Sequence, residues 1–142
     1  MELPRHSVSV AGVVVDDQGR TLAIRRRDNG KWEQPGGVLE LDESIEDGLV
    51  REVHEETGLT VTPIRLTGVY KNMRRGIVAL VFRCALVDGH PASSAEAAEV
   101  AWLTPAQIKE RMEEAYACRT LDALDDGAPT IRSHDGTLVL PK

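Results

Sequence analysis

The sequence predicts an α/β protein in which a mixed β-sheet is covered by helices on both faces. Three observations carry this expectation. Valine-rich, strand-like segments recur on either side of one strongly marked helix, that helix brings its own start and stop signals, and the segments fall in the order β-β-β-α-β-β-β-α. A chain of 142 residues with 42% hydrophobic content is enough for one globular domain, residues 1–142, with a core that needs no staples.

Each element has a local reason. Residues 8–15 are rich in valine and end in the turn signal Asp16-Asp17-Gln18-Gly19, after which residues 21–26 resume as a second strand, so a hairpin is expected. KWEQPGG follows, whose proline and paired glycines forbid helix and let the backbone approach something closely. Ser44, with Asp47 three residues on, resembles a capping box, and Gly58 supplies the stop. Between them lies a helix of about three and a half turns. Ile45, Leu49 and Val53 recur at four-residue steps beside Val50, so this stripe should pack inward and leave a polar face for chemistry.

Beyond Gly58 the period returns to that of strands. Residues 61–70 and 77–87 read as longer strands separated by KNMRRG, and residues 100–103 as a short one. Thr104-Pro105 opens a second helix running to about Tyr116. Segment 117–142 should add a helical turn and a short hairpin around His134-Asp135-Gly136.

Composition narrows the function. Seventeen Lys and Arg against 23 Asp and Glu give a net charge of -6, which opposes general attraction to a long nucleic acid or an anionic membrane. Cys84 and Cys118 fit neither a disulfide framework nor a zinc ribbon and read as free thiols of a reducing compartment. Nowhere is there an apolar run long enough for a transmembrane helix. A cytoplasmic protein is expected.

REVHEETGL, residues 51–59, is the unusual stretch. Glu52, Glu55 and Glu56 stand at i, i+3 and i+4 and so project from one helix face, although like charges there repel and the helix C-terminus disfavours them. Converging carboxylates of this kind suit a small divalent cation such as Mg²⁺. His54-Glu55 opens a zinc-protease pattern, but position 58 is glycine where the second histidine is needed; no Walker motif is present.

GGVLELDESIEDGLVREVHEETGL resembles the Nudix box, G-x5-E-x7-R-E-U-x-E-E-x-G-U with U aliphatic. Gly37, Glu43, Arg51, Glu52, Val53, Glu55, Glu56, Gly58 and Leu59 match every fixed place. Asp42 stands where the family often has glycine, and Gly48 where alanine is common. The resemblance implies a Nudix α/β/α sandwich that binds Mg²⁺ or Mn²⁺ and hydrolyses a nucleoside diphosphate linked to another moiety, MutT-like. It implies Glu52, Glu55, Glu56 and the Gly37 carbonyl as metal ligands. Arg51 then orients a glutamate and offsets some repulsion, Glu43 either partners Arg51 or sits beside a metal-bound water, and the general base is Glu55, Glu56 or a later-loop glutamate, Glu96 or Glu99.

For substrate, Arg26 among Arg25–Arg27, and Arg74 and Arg75 in KNMRRG, are candidates to meet phosphates, with Trp32 a candidate to stack a base. The proline that marks ADP-ribose substrates in the family is replaced by Arg74, and the tyrosine of dinucleoside-polyphosphate enzymes by Arg75, Gly76 and Ile77. The expected partner is a small nucleotide, with no long nucleic acid and no membrane, and with a homodimer left open. Two rival classes exist: a non-catalytic Nudix-like regulator, disfavoured by the full ligand set and the lack of an attached DNA-binding module, and an isoprenoid diphosphate isomerase, which needs a catalytic cysteine in a context that neither Cys84 nor Cys118 has.

Overall fold

Alternation along the first valine-rich run decides the layering. Strand β1 (Ser7–Val14) sends Val10 and Val14 into one buried cluster and Ala11 and Val13 into another, so both of its faces are covered. The computed structural model describes residues 1–141. In it β1 belongs to a five-stranded mixed sheet with the order β4 (Gly36–Val38), β1, β6 (Ile77–Asp88), β5 (Thr60–Asn72), β8 (Thr130–His134). β1 is antiparallel to β4 and parallel to β6, while β5 is antiparallel to β6 and parallel to β8.

Helix α1 (Ile45–Thr57) starts and stops where its sequence signals lie. Ser44 Oγ accepts from the Asp47 N–H at 3.2 Å, and Gly58, at φ 78°, donates its N–H to the His54 carbonyl. Leu49 and Val53 pack with Val10 and Val14 on one sheet face. The inward stripe excludes Ile45, in the first turn of the helix, which is 41% exposed. The other face is covered by α3 (Glu114–Ala123), whose Ala123 joins Ala11, Val13, Tyr70 and Val81.

Three differences from the sequence expectation have physical causes. The hairpin expected of residues 8–15 and 21–26 does not form: Asp16 Oδ1 organises the turn by accepting from the N–H groups of Gln18 and Arg20, but only Val15 and Thr21 pair across it. β1 instead pairs along its whole length with β6, and β2 (Thr21–Arg26) joins a separate antiparallel sheet with β3 (Trp32–Glu33) and β7 (Ala97–Leu103). The single expected sheet is therefore two, because long-range pairing outweighs the local turn. The second helix also breaks. α2 (Pro105–Arg111) begins with a reciprocal Thr104–Gln107 capping box and ends at Met112, whose extended backbone lets its side chain reach the core with Ile108 and Ala117 before α3 starts. Finally, the tail contributes β8 as well as the expected turn, closed by the His134–Val139 bridge. Among the described residues, no helix is long and apolar enough to cross a membrane.

Candidate active site

On α1, the face that packs against the sheet continues beyond its apolar residues into two carboxylates. Glu52 and Glu56, one turn apart, are only 8% and 4% exposed. They lean on the glycine pair of β4. The Gly36 N–H donates to Glu56 Oε1 at 2.6 Å, and a Cβ on Gly37 would lie 2.5 Å from the Glu52 carboxylate, so only glycine leaves room for that side chain. Both glutamates and both glycines line a cavity of about 820 Å³, a nucleotide-sized space.

The electrostatics of the pair are unbalanced. Burial, reinforced by the charges of Glu52, Glu96 and Glu33 and opposed by the Gly36 N–H, pushes Glu56 up to about 8. Burial also raises Glu52, although the Arg51 guanidinium pulls against it. Glu96, on the loop before β7, is exposed at the cavity wall beside them.

Arg51 gathers carboxylates without entering the cavity lining. Its Nε and Nη2 fork onto Glu43 at 2.9 and 2.6 Å, and its Nη1 donates to Glu52 at 3.0 Å and Glu55 at 3.2 Å. The Arg51 fork, with the Glu40 N–H, holds Glu43 down to about 2. Gly48 makes this closeness possible, because a Cβ there would sit 2.8 Å from Glu43 Oε1. Glu55 is exposed on the Arg51 side of the helix. The three glutamates therefore do not converge on one point. Among the described residues, no three Asp, Glu, His or Cys side chains are gathered to hold an ion by themselves.

The other candidates divide. Arg26 and Arg75 line the cavity, but Arg26 is already bonded to Asp28 and, at 3.4 Å, to Glu33. Arg74 is exposed and outside the cavity wall. Trp32 packs with the cluster of Ile108 and Met112, under Arg111 at 5.8 Å, and also stays out of the lining. Glu99 pairs with Arg25 at 2.9 Å across β7 and β2 and is 55% exposed, away from Glu52 and Glu56.

Sequence reasoning missed the far wall of the cavity, where Gln34, Asn72, Tyr116, Arg119 and His134 meet. They come from four separate places, with Gln34 between β3 and β4, Asn72 on β5, Tyr116 and Arg119 three residues apart on α3 and His134 on β8, and no motif spacing links the four. The one available signal was local: Asn72 precedes the turn of KNMRRG, where its Oδ1 accepts from the N–H groups of Arg74 and Arg75.

This fold and this glycine-backed carboxylate site are those of a Nudix hydrolase. A model of the NUDIX domain family matches residues 5–122, and the chain belongs to that family. It is similar to a MutT-like protein of Streptomyces ambofaciens, 62% identical over 138 residues that cover 97% of this chain and 90% of the relative. An ADP-ribose pyrophosphatase of Methanocaldococcus jannaschii is 33% identical over 100 residues, covering 66% of this chain and 59% of its own length. Among solved structures, the MutT protein of Methanosarcina mazei Go1 superposes with a TM-score of 0.73 at 28% identity, covering 84% of this chain and 94% of that one.

Proposed function

We propose that the chain is a divalent-cation-dependent pyrophosphohydrolase that cleaves a nucleoside diphosphate linked to another group, with a nucleoside triphosphate or a modified relative as its substrate class. The observation that carries this reading is the buried pair Glu52 and Glu56, set against the Gly36–Gly37 backbone in a nucleotide-sized cavity, with Glu56 pushed up to about 8. Crowded carboxylates of this kind are hard oxygen donors that gain from a hard cation, so the residues fit Mg²⁺ or Mn²⁺. Glu52, Glu56 and the Gly37 carbonyl would hold it, and Glu55 can join them by leaving Arg51. When bound, the cation supplies positive charge against the pyrophosphate oxygens and acidifies the attacking water.

The remaining roles belong to this chain's own groups. Arg51 cannot lose its charge, so it orients Glu52 and ties α1 to Glu43 at its entrance. Glu96, exposed beside the two ligands, is positioned to take a proton from water; Glu99, occupied by Arg25, is the weaker base. Arg75, in the wall of the same cavity, is available to a substrate anion. The pyrophosphatase named among the relatives supports this chemistry. The isomerase alternative loses ground, since burial pushes the Cys84 thiol up to about 12 and the Cys118 thiol up to about 11. A net charge of -6 and two free cysteines accord with a cytoplasmic enzyme of small nucleotides.

A substrate screen that reads pyrophosphate and phosphate release separately tests the proposal. Hydrolysis is expected with Mg²⁺ and not in chelator, and Glu52→Gln or Glu56→Gln should lower turnover by about 100-fold or more. Full turnover in excess chelator, or tight nucleotide binding without hydrolysis in the whole screen, overturns it.

A further inference from the structure

The cavity has a second polar end that this chemistry does not use. Its wall crosses all five strands of the larger sheet, from Gly36 and Gly37 on β4, through β1 and β6, to Asn72 on β5 and His134 on β8. Four inter-strand steps of about 4.8 Å separate the edge strands by roughly 19 Å. Glu52 and Glu56 lie against the β4 edge. Arg119 lies against the β8 edge, 3.2 Å from His134 Nε2.

Arg119 is 7% exposed and faces this cavity, yet its Nε–H has no partner. Among the described residues, neither Arg119 nor Arg75 makes a salt bridge. The contact with His134 cannot satisfy every donor around the ring. Gly136 directs its N–H at His134 Nδ1 at 3.0 Å while Arg119 approaches Nε2, and a neutral ring has one lone pair for the two donors, so one of them is left over. Asn72 has committed its carbonyl oxygen to the turn, which leaves its amide NH2 to donate elsewhere. The rings of Tyr116 and Tyr70, 4.5 and 5.3 Å from the guanidinium carbon, offer the charge a π face but no oxygen. Burial alone pushes Arg119 below its usual value. The Glu33 carboxylate in the same cavity opposes this without forming an ion pair with Arg119, being bonded to Arg26 instead, and Gln34 Oε1 is a second unpartnered atom of the wall, so this end holds a buried cation with no ion pair of its own.

We propose that it is an oxyanion subsite, in which Arg119, with the Asn72 amide and Arg75, takes a phosphate or carboxylate group that the substrate carries apart from the pyrophosphate being cleaved. The inference rests on the pyrophosphohydrolase reading for the reaction and adds a property of the substrate: negative charge at both ends. A neutral base would accept hydrogen bonds from Arg119 but leave its charge unpaired, whereas an oxyanion meets both needs.

Titrating inorganic phosphate into the protein in chelator, followed by calorimetry, isolates this end from the carboxylates. Saturable binding is expected, weakened at least about 10-fold in Arg119→Gln and about 3-fold in Arg75→Gln, whose exposed side chain puts folding at no risk. No binding to wild type, or equal binding to wild type and both variants, overturns the proposal. Matched ligands then separate the sources: NADPH against NADH differs by one phosphate, and UDP-glucuronate against UDP-glucose by one carboxylate. The anionic member of at least one pair should bind about 10-fold more tightly, with the ratio shrinking in Arg75→Gln; equal binding within both pairs overturns the proposal. Neither titration requires turnover, so a protein that binds phosphate but hydrolyses nothing sinks only the hydrolase reading, and one that hydrolyses but ignores phosphate sinks only the subsite.

Discussion

The carboxylate end and the guanidinium end of the cavity hold groups of opposite sign and share one property: each keeps a buried ionisable group without a counter-ion. At one, Glu52 takes Arg51 and Glu56 meets only the Gly36 N–H; at the other, Arg119 is buried with no ion pair and its Nε–H unpartnered. Elsewhere this protein pairs a half-buried charge fully. Asp122 accepts from Arg132 at 2.9 Å through both oxygens and from the Tyr70 hydroxyl at 2.8 Å; burial opposes ionisation, yet these bonds hold its carboxyl below the usual range. The difference separates charge that supports the fold from charge that is left for a ligand, because an unpaired buried ion is costly unless something outside the chain repays it.

The comparison sharpens if the two ends respond independently. Gly37→Ala drives a Cβ into the Glu52 carboxylate, so turnover should fall by about 100-fold or more, while phosphate binding in chelator at the Arg119 end stays within about 2-fold. Kinetics and calorimetry on the same preparation check this, and parallel losses would merge the ends into one site. A smaller contrast lies within the acidic wall. Glu96→Gln should lower kcat about 10-fold or more as loss of a base, whereas Glu99→Gln, which only frees Arg25 at an exposed strand pair, should change kcat less than about 2-fold. Equal effects would remove the distinction between cavity and sheet edge. The least effect expected is on folding: Glu99→Gln should shift stability by less than about 1 kcal/mol in a denaturant titration.

The carboxylate end was legible in the sequence because it is local. Ser44, Gly58 and the glutamate spacing lie within one helix and its caps, and Gly37 precedes them by a short loop. What the spacing could not say was that Glu55 faces Arg51 while Glu52 and Glu56 turn into the wall, since that depends on where β4 lies. The strands were legible from valine alternation, but their partners were not: β1 finds β6 in parallel across many intervening residues, and no local signal opposes the hairpin that fails to form. The guanidinium end was illegible for the same reason. Arg119 lies past the expected end of the second helix and His134 reads as a turn residue until β8 adds beside β5 and brings His134 opposite Asn72.

Thermal melts of wild type and Glu56→Gln, in chelator and with Mg²⁺, test the central claim most directly. Glu56 sits at about 8 in the folded protein against an ordinary 4.5, so the folded state holds the extra proton between those values. The stability it contributes is complete below the lower value and lost as pH rises through the higher one. In chelator, wild type should therefore melt lower at a pH of about 9 than at about 6, and Glu56→Gln should lose less over that range and match or exceed wild type at its upper end. Added Mg²⁺ should raise the melting temperature of wild type more than that of the variant, because a cation held only by the folded state stabilises it by an amount that grows with the logarithm of its affinity. A variant that melts clearly below wild type in chelator and gains the same shift from Mg²⁺ would contradict the assignment of Glu56 as a ligand.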